Sequence, residues 1–227
     1  MICHKKKIIF IHIPKCAGSS VKNFYFGGHS LKWNVPNYDV LYGWCPKRKI
    51  HMQHATTKQL LETNLISEED WNDYFKFTIV RNPWDRAYSD YMWIMKNSKI
   101  QGSFKNYIQK SGSFREILSN QNTMMYRGDH LIPQTDFFSF EGISKLDFVC
   151  RFETLMADLE VIKHKLGVDE RMNVFEKKNF KRTSHYSLFY TNTRRKLVAS
   201  KFDNDINTLK YHFLDCKKGV LKFKNFI

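Results

Sequence analysis

Residues 7–20, KIIFIHIPKCAGSS, constrain this chain more than any other stretch. Ile8, Ile9, Phe10, Ile11 and Ile13 form an apolar, β-branched run that breaks at Pro14 and gives way to Lys15, Gly18, Ser19 and Ser20. Continuous apolarity without polar alternation is the pattern of a parallel strand covered on both faces. Pro14 cannot extend the ladder. Gly18 can take a backbone shape that other residues avoid, and Ser19 and Ser20 offer hydroxyls at a helix start. A strand, a tight turn with a lysine and a helix N-terminus make an anion cradle. Backbone N–H groups and the positive end of the helix dipole converge on one spot, and Lys15 adds a full charge. The plain alternative is an ordinary strand-to-helix connection with a surface lysine.

The pattern recurs. Residues 75–80, FKFTIV, read as the next buried strand and end in Arg81-Asn82-Pro83-Trp84, with Pro83 suited to the first turn of a helix carrying Arg86, Ser89 and Tyr91. A third apolar run, residues 146–150, feeds a helix with Leu155, Leu159, Ile162 and Leu166 on one stripe, stopped at Gly167. Between these runs, Thr56 or Thr57 can cap a helix carrying Leu60 and Leu61, and Ser67 starts another through Trp71. Residues 29–49 are rich in turn formers and aromatics without periodicity, which predicts a long loop, either a lid or substrate wall or a packed surface loop. Residues 49–53 suit a short strand, residues 130–134 an extended segment broken by Pro133, and residues 179–190 a basic, hydroxyl-rich loop. A last helix from about Thr193 turns Val198, Phe202, Ile206 and Leu209 inward, and residues 222–226 read as an edge strand or a loose tail.

Strands followed by helices, repeated, predict an α/β fold: one phosphate-loop-like domain over residues 1–227, with a central, mainly parallel sheet flanked by helices. Ligands of such sheets sit at the carboxyl ends of the strands. Lys15 and Arg81 each follow a strand, so two cationic strand ends can clasp the two ends of one multiply charged nucleotide.

The formal net charge is +15, with 37 Lys and Arg against 22 Asp and Glu, which implies an anionic ligand, substrate or surface without saying which. Five scattered cysteines with no CxxC pair argue against a disulfide framework or a structural zinc site and for a reducing compartment. No apolar run approaches the length of a membrane span, and residues 8–13 are too short for a signal core. The expected location is cytoplasmic, or the Golgi lumen if a longer, anchored protein has been trimmed.

Two motifs carry a family resemblance. IFIHIPKCAGSS resembles the 5′-phosphosulfate loop, and FKFTIVRNPWDRAYSDY the 3′-phosphate motif, of the nucleotide-dependent sulfotransferases, in the branch that includes carbohydrate 2-O- and 4-O-sulfotransferases and their microbial relatives. Weaker echoes are His54-Ala-Thr, His130-Leu-Ile-Pro-Gln134, Arg151-Phe-Glu153 and Thr183-Ser-His-Tyr-Ser, in the family's order over most of the chain. Cys16-Ala17 departs from the Thr-Gly common in that loop, which alters its flexibility. The glycine spacing ahead of Lys15 does not match GxxxxGK[ST], which counts against an ATP- or GTP-using enzyme.

The resemblance implies 3′-phosphoadenosine 5′-phosphosulfate (PAPS) as donor and in-line transfer of its sulfuryl group to an acceptor hydroxyl, with a saccharide favoured. It implies Lys15 at the bridging oxygen, and Lys15, Cys16, Ala17, Gly18, Ser19 and Ser20 around the 5′-phosphate. Arg81 and Ser89 fall to the 3′-phosphate with Arg86 in support, and Thr183 and Ser184, with Arg182 and His185, close over the nucleotide. Without the family pattern, Arg86 and Ser89 read as a solvated helix face. Transfer to an alcohol needs a base. His54 is the candidate and His51 the reserve; His12 reads as a core residue with a hydrogen-bond partner, and His130 and Gln134 as the acceptor side. The scheme needs no metal, and no His/Cys/Asp cluster has ligand spacing along the sequence. Competing readings are a basic polyanion or nucleic-acid binder without catalysis, and a sulfotransferase for a non-carbohydrate small molecule.

Overall fold

The computed structural model describes residues 1–26, 31–139, 146–167 and 184–216. The Gly27–Gly28 break, most of the basic loop before Ser184, and the tail at 222–226 lie outside the described residues. Backbone proximity divides the chain into two compact units: Met1–Arg81 with Glu116–Glu176, and Asn82–Arg115 with Lys177–Ile227.

The first unit is built on a four-stranded sheet. Its strands are β1 (Ile2–Cys3), β2 (Ile8–Ile11), β5 (Phe75–Val80) and β6 (Phe148–Arg151), in the order β1-β2-β5-β6. The pairs β2–β5 and β5–β6 are parallel, and only the short β1 runs antiparallel, beside β2. All four residues of β2 are buried, as the unbroken apolar run requires. Phe10 lies opposite Phe77 in register, and their rings stack at 4.9 Å. Burying a side chain of this size is worth about 1.5–3 kcal/mol, so this pair anchors the register as well as the core. Helix α1 (Gly18–Phe26) follows β2 and lays Tyr25 edge-on against Phe77 at 6.0 Å. A two-stranded hairpin joins β3 (Trp44–Cys45) to β4 (Ile50–His51), so the aromatic-rich segment is less irregular than its sequence suggests.

Helix starts follow the sequence closely. Thr56 caps α2 (Thr57–Glu62) in a reciprocal box with Gln59, and Ser67 accepts from Asp70 N–H at the head of α3 (Glu68–Asp73). Helix α7 (Leu155–Leu166) buries Leu159 and Ile162 and ends at Gly167, whose φ of +61° is the left-handed stop expected there. Residues 128–131 differ from expectation. They form a 3₁₀ turn, Gly128–Leu131, whose last two residues begin the segment 130–134 expected to be extended, because His130 N–H reaches the Arg127 carbonyl and Ile132 N–H reaches that of Asp129.

The second unit is helical. Its helices are α4 (Pro83–Ser98), α5 (Phe104–Ile108), α8 (Asn192–Lys201) and α9 (Asp203–Thr208), and the short α6 (Arg115–Ser119) starts at its boundary with the first unit. Pro83 opens α4 while Asn82 caps it by accepting from Trp84 N–H. The single last helix expected from the sequence is two, separated at Phe202, where ψ turns to +35°. Tyr91, Phe104, Tyr107 and Phe114 pack as an aromatic core. Tyr107 donates its hydroxyl to buried Asp90 at 2.8 Å, and burial together with that carboxylate pushes the phenol well above its usual range. Among the described residues, no helix is long and apolar enough to cross a membrane.

Candidate active site

The connection from β2 to α1 makes the tight turn with residues the sequence did not single out for it. Backbone φ is +68° at Lys15 and +62° at Ala17, and not positive at Cys16 between them. Such alternation curls successive N–H groups toward one concavity, the backbone form of an anion nest. Ser20 N–H is given to the Ala17 carbonyl at 3.0 Å and Cys16 N–H to the Ile13 carbonyl at 3.4 Å, so the amide part of the cradle centres on residues 17–19.

Ala17 carries the strain that a glycine would relieve. A left-handed L-residue costs roughly 1–2 kcal/mol, partly offset by the greater freedom glycine has when unfolded. Ala17→Gly is therefore expected to raise stability by about 0.5–1 kcal/mol. In urea the midpoint would move up at constant slope; an unchanged or lower midpoint would contradict the strain argument.

Gly18, expected to supply the unusual backbone, is required for another reason. A Cβ placed there would lie 1.8 Å from Nε2 and 2.0 Å from Cδ2 of His12. The helix start and the imidazole share a space that only a hydrogen can fit. Gly18→Ala is expected to destabilise the protein by about 1–3 kcal/mol through overpacking. Combining it with His12→Ala should cost less than the two single changes added together. Strict additivity in a thermal-unfolding cycle would show that the ring is not the obstacle.

Arg81 leaves the end of β5 and is nearly buried. Its guanidinium donates from Nη1 to the Lys15 carbonyl at 2.9 Å and lies 3.9 Å from the centroid of the Phe152 ring. The two cationic strand ends, 66 residues apart in sequence, are thus brought together.

Gln134 holds this arrangement from beneath. Expected on the acceptor side, it is instead fully buried. Its Nε2 donates to the Arg81 carbonyl at 2.9 Å, and its Oε1 accepts from Arg81 N–H at 2.8 Å and from the Cys16 thiol at 3.5 Å. One side-chain amide therefore closes off the end of β5 as a further strand would, and touches the anion loop too. Cys16 contributes its side chain to this contact, a role no local pattern announces.

Histidines gather below the loop. His12 follows the last residue of β2, stacks on Phe10 at 5.3 Å, and has no hydrogen-bond partner for its enclosed Nδ1 among the described residues. Burial first, and then nearby positive charge, lowers it to about 3. His54 gives Nδ1–H to the His12 carbonyl at 3.0 Å, since a carbonyl can only accept. Its Nε2 therefore carries the lone pair. Burial and the neighbouring His12 and His130 hold it well below its ordinary value, so it is neutral at physiological pH. His51 Nε2 lies 2.7 Å from Nη1 of Arg127 and 3.1 Å from the Met124 carbonyl. Arg127 Nη1 donates to the same carbonyl at 2.9 Å, so His51 Nε2 is engaged between a donor and an acceptor. Burial, then the Arg127 charge, lowers it to about 3.

Sequence spacing showed no metal-ligand set, yet the fold brings His54, Asp129 and His130 together with their ligand atoms all within 4.8 Å of one another. Asp129 was missed because only the turn at 128–131 brings it there.

The remaining predicted residues belong to the second unit. Ser89 is half-buried on α4, and Ser184 is exposed just before the 3₁₀ turn Tyr186–Phe189. Thr183 lies outside the described residues, as does Arg182. Arg86 is only 2% exposed, with its guanidinium 5.8 Å from the Phe202 ring, so it does not belong to a solvated helix face. His185 Nδ1 accepts from Ser187 N–H and caps the turn.

No curated protein and no solved structure matches the chain. The sequence profile described as the sulfotransferase family matches residues 1–212, which contain the anion loop, both cationic strand ends and the histidine cluster. A match over nearly the whole length settles the family: this chain belongs to the sulfotransferases, enzymes that move a sulfuryl group from a donor to an acceptor.

Proposed function

We propose that the chain transfers the sulfuryl group of PAPS to a hydroxyl of a saccharide, with residues 1–227 acting as one catalytic domain. The observation that carries the reading is the 2.9 Å bond from Arg81 to the Lys15 carbonyl, which joins an anion nest to a second cation at adjacent strand ends. A nucleotide with phosphates at both its 5′ and 3′ positions needs two such points of charge. A 5′-triphosphate nucleotide would call for the glycine loop and metal-holding carboxylate that this turn lacks.

When bound, the donor supplies the sulfuryl group and a bisphosphate leaving group. Lys15 is placed to meet negative charge as it grows on the bridging oxygen, and the loop amides hold the 5′-phosphate. Arg81 takes the 3′-phosphate; Ser89, Thr183 and Ser184 join it through the resemblance. His54 accepts the acceptor's proton at Nε2, the atom its bond to the His12 carbonyl leaves with a lone pair. His51 Nε2 is already engaged by Arg127 and the Met124 carbonyl, which favours His54 over it for that step. A saccharide is favoured by the exposed rings of Trp33 and Tyr38, with the Arg127 guanidinium 5.2 Å from the Trp33 centroid.

The test is calorimetric titration with adenosine 3′,5′-bisphosphate and with ATP, in chelator. Magnesium-independent binding of the bisphosphate, at least tenfold tighter than ATP and weakened at least tenfold by Arg81→Ala, is expected. Equal affinity for nucleotides with and without the 3′-phosphate would sink the assignment. Steeply salt-dependent binding indifferent to Lys15 would point to a polyanion binder.

A further inference from the structure

We propose that His54, Asp129 and His130 form a binding site for a divalent transition-metal ion of the zinc class. Two imidazoles and one carboxylate are a donor set of catalytic and regulatory zinc sites, leaving a position for water or another ligand. Their ligand atoms all lie within 4.8 Å of one another. Tetrahedral bonds of about 2.0–2.1 Å place donors about 3.3 Å apart, so the donors need to draw together by at most about 1.5 Å.

The surroundings fix these ligands. His54 gives Nδ1–H to the His12 carbonyl, the outer contact that orients a metal-ligating imidazole and leaves Nε2 as donor. The rings of His54 and His130 meet edge-on with centroids 5.5 Å apart. Asp129 and His130 are 7% and 6% exposed and sit side by side on the 3₁₀ turn. That turn is pinned by Arg127 N–H to the Ile117 carbonyl at 2.7 Å. Gly128 belongs there because a Cβ would come within 2.3 Å of the Leu118 carbonyl oxygen. Three residues on from this turn's end, the Gln134 amide is fastened to the Arg81 backbone. A ligand pair on a turn held at both ends is pre-organised for an ion.

The consequence for catalysis rests on His54 being the base. A metal ion on Nε2 occupies the lone pair that would take the acceptor's proton, so the ion inhibits transfer instead of assisting it. Binding itself does not depend on that assignment.

The test is titration of the chelator-stripped protein with Co²⁺, read by visible absorption, and with Zn²⁺, read by calorimetry. One equivalent is expected to bind with micromolar or tighter affinity and give the intense bands of a four-coordinate ion. Asp129→Asn and His130→Gln should each weaken binding at least tenfold, while His164→Gln, on the exposed face of α7, should leave it unchanged. Circular dichroism confirms that each variant is folded. No visible band in the wild-type protein overturns the proposal without recourse to any variant. So does binding that survives in folded Asp129→Asn and His130→Gln alike. A metal bound as expected by a protein that fails the bisphosphate titration would leave the site standing and the PAPS-donor reading refuted.

Discussion

Lys15→Met lowers the turnover of an accepted substrate by about 10²–10³, with a much smaller change in affinity for the bisphosphate product. The substitution keeps the length and apolar stem of the side chain and removes only its charge. In-line transfer develops negative charge on the oxygen that leaves with the nucleotide, and a fixed cation at that oxygen acts more strongly in the transition state than in the ground state. Removing one such group costs two to three orders of magnitude in comparable oxyanion sites. Lys15 sits at φ +68° in the turn, its carbonyl tied to Arg81, so its backbone is fixed independently of its side chain. The loop should therefore keep its shape in the variant. Product release followed over time, beside calorimetry with the bisphosphate, separates the two effects. A loss in affinity equal to the loss in turnover would place Lys15 in ground-state binding only.

Gln134→Leu should be the most damaging change outside the loop, destabilising the fold by about 3–5 kcal/mol. The replacement fits the space but leaves the N–H and C=O of Arg81 buried without partners, each worth about 1–3 kcal/mol. Gln134→Glu should fare little better, because it sets an oxygen against the Arg81 carbonyl. Either variant should also bind the bisphosphate more weakly, since the same amide touches Cys16 in the anion loop. Equilibrium unfolding in urea reads the first effect and calorimetry at low temperature the second. A loss under 1 kcal/mol for Gln134→Leu would mean that water takes over both backbone groups.

The sheet and most helix starts were legible because their signals are local. Buried parallel strands need apolar runs, and β2 and β5 have them; β6, last in the strand order, buries only Cys150. Thr56, Ser67 and Gly167 act on groups within a turn of themselves. The two-residue β1 and the Trp44–Cys45 hairpin are too short to set a pattern, and their pairing is decided by what they pack against. The site divides the same way. Lys15 and Arg81 stood out as charges at strand ends. Gln134 entered through the resemblance, on the acceptor side; its hold on Arg81 and Cys16 was not legible because those partners lie 53 and 118 residues away. Gly18 was noticed for its freedom when the structure requires its smallness, a distinction set by His12 across the turn. Asp129 enters only through the 3₁₀ turn at 128–131, just ahead of the segment the sequence read as extended.

The register between β2 and β5 has a further meaning. Ile11 lies opposite Thr78, so the chain counts four residues to Lys15 on one strand and three to Arg81 on the other. Each residue along a strand advances about 3.3 Å, and an odd slip turns every side chain to the opposite face. The distance between the two charges is thus a matter of length, kept by the number of residues between fixed marks. Inserting or deleting one residue between these marks would shift one charge against the other, while the buried Ile13, Ile79 and Val80 between them hold the two strand ends in the core.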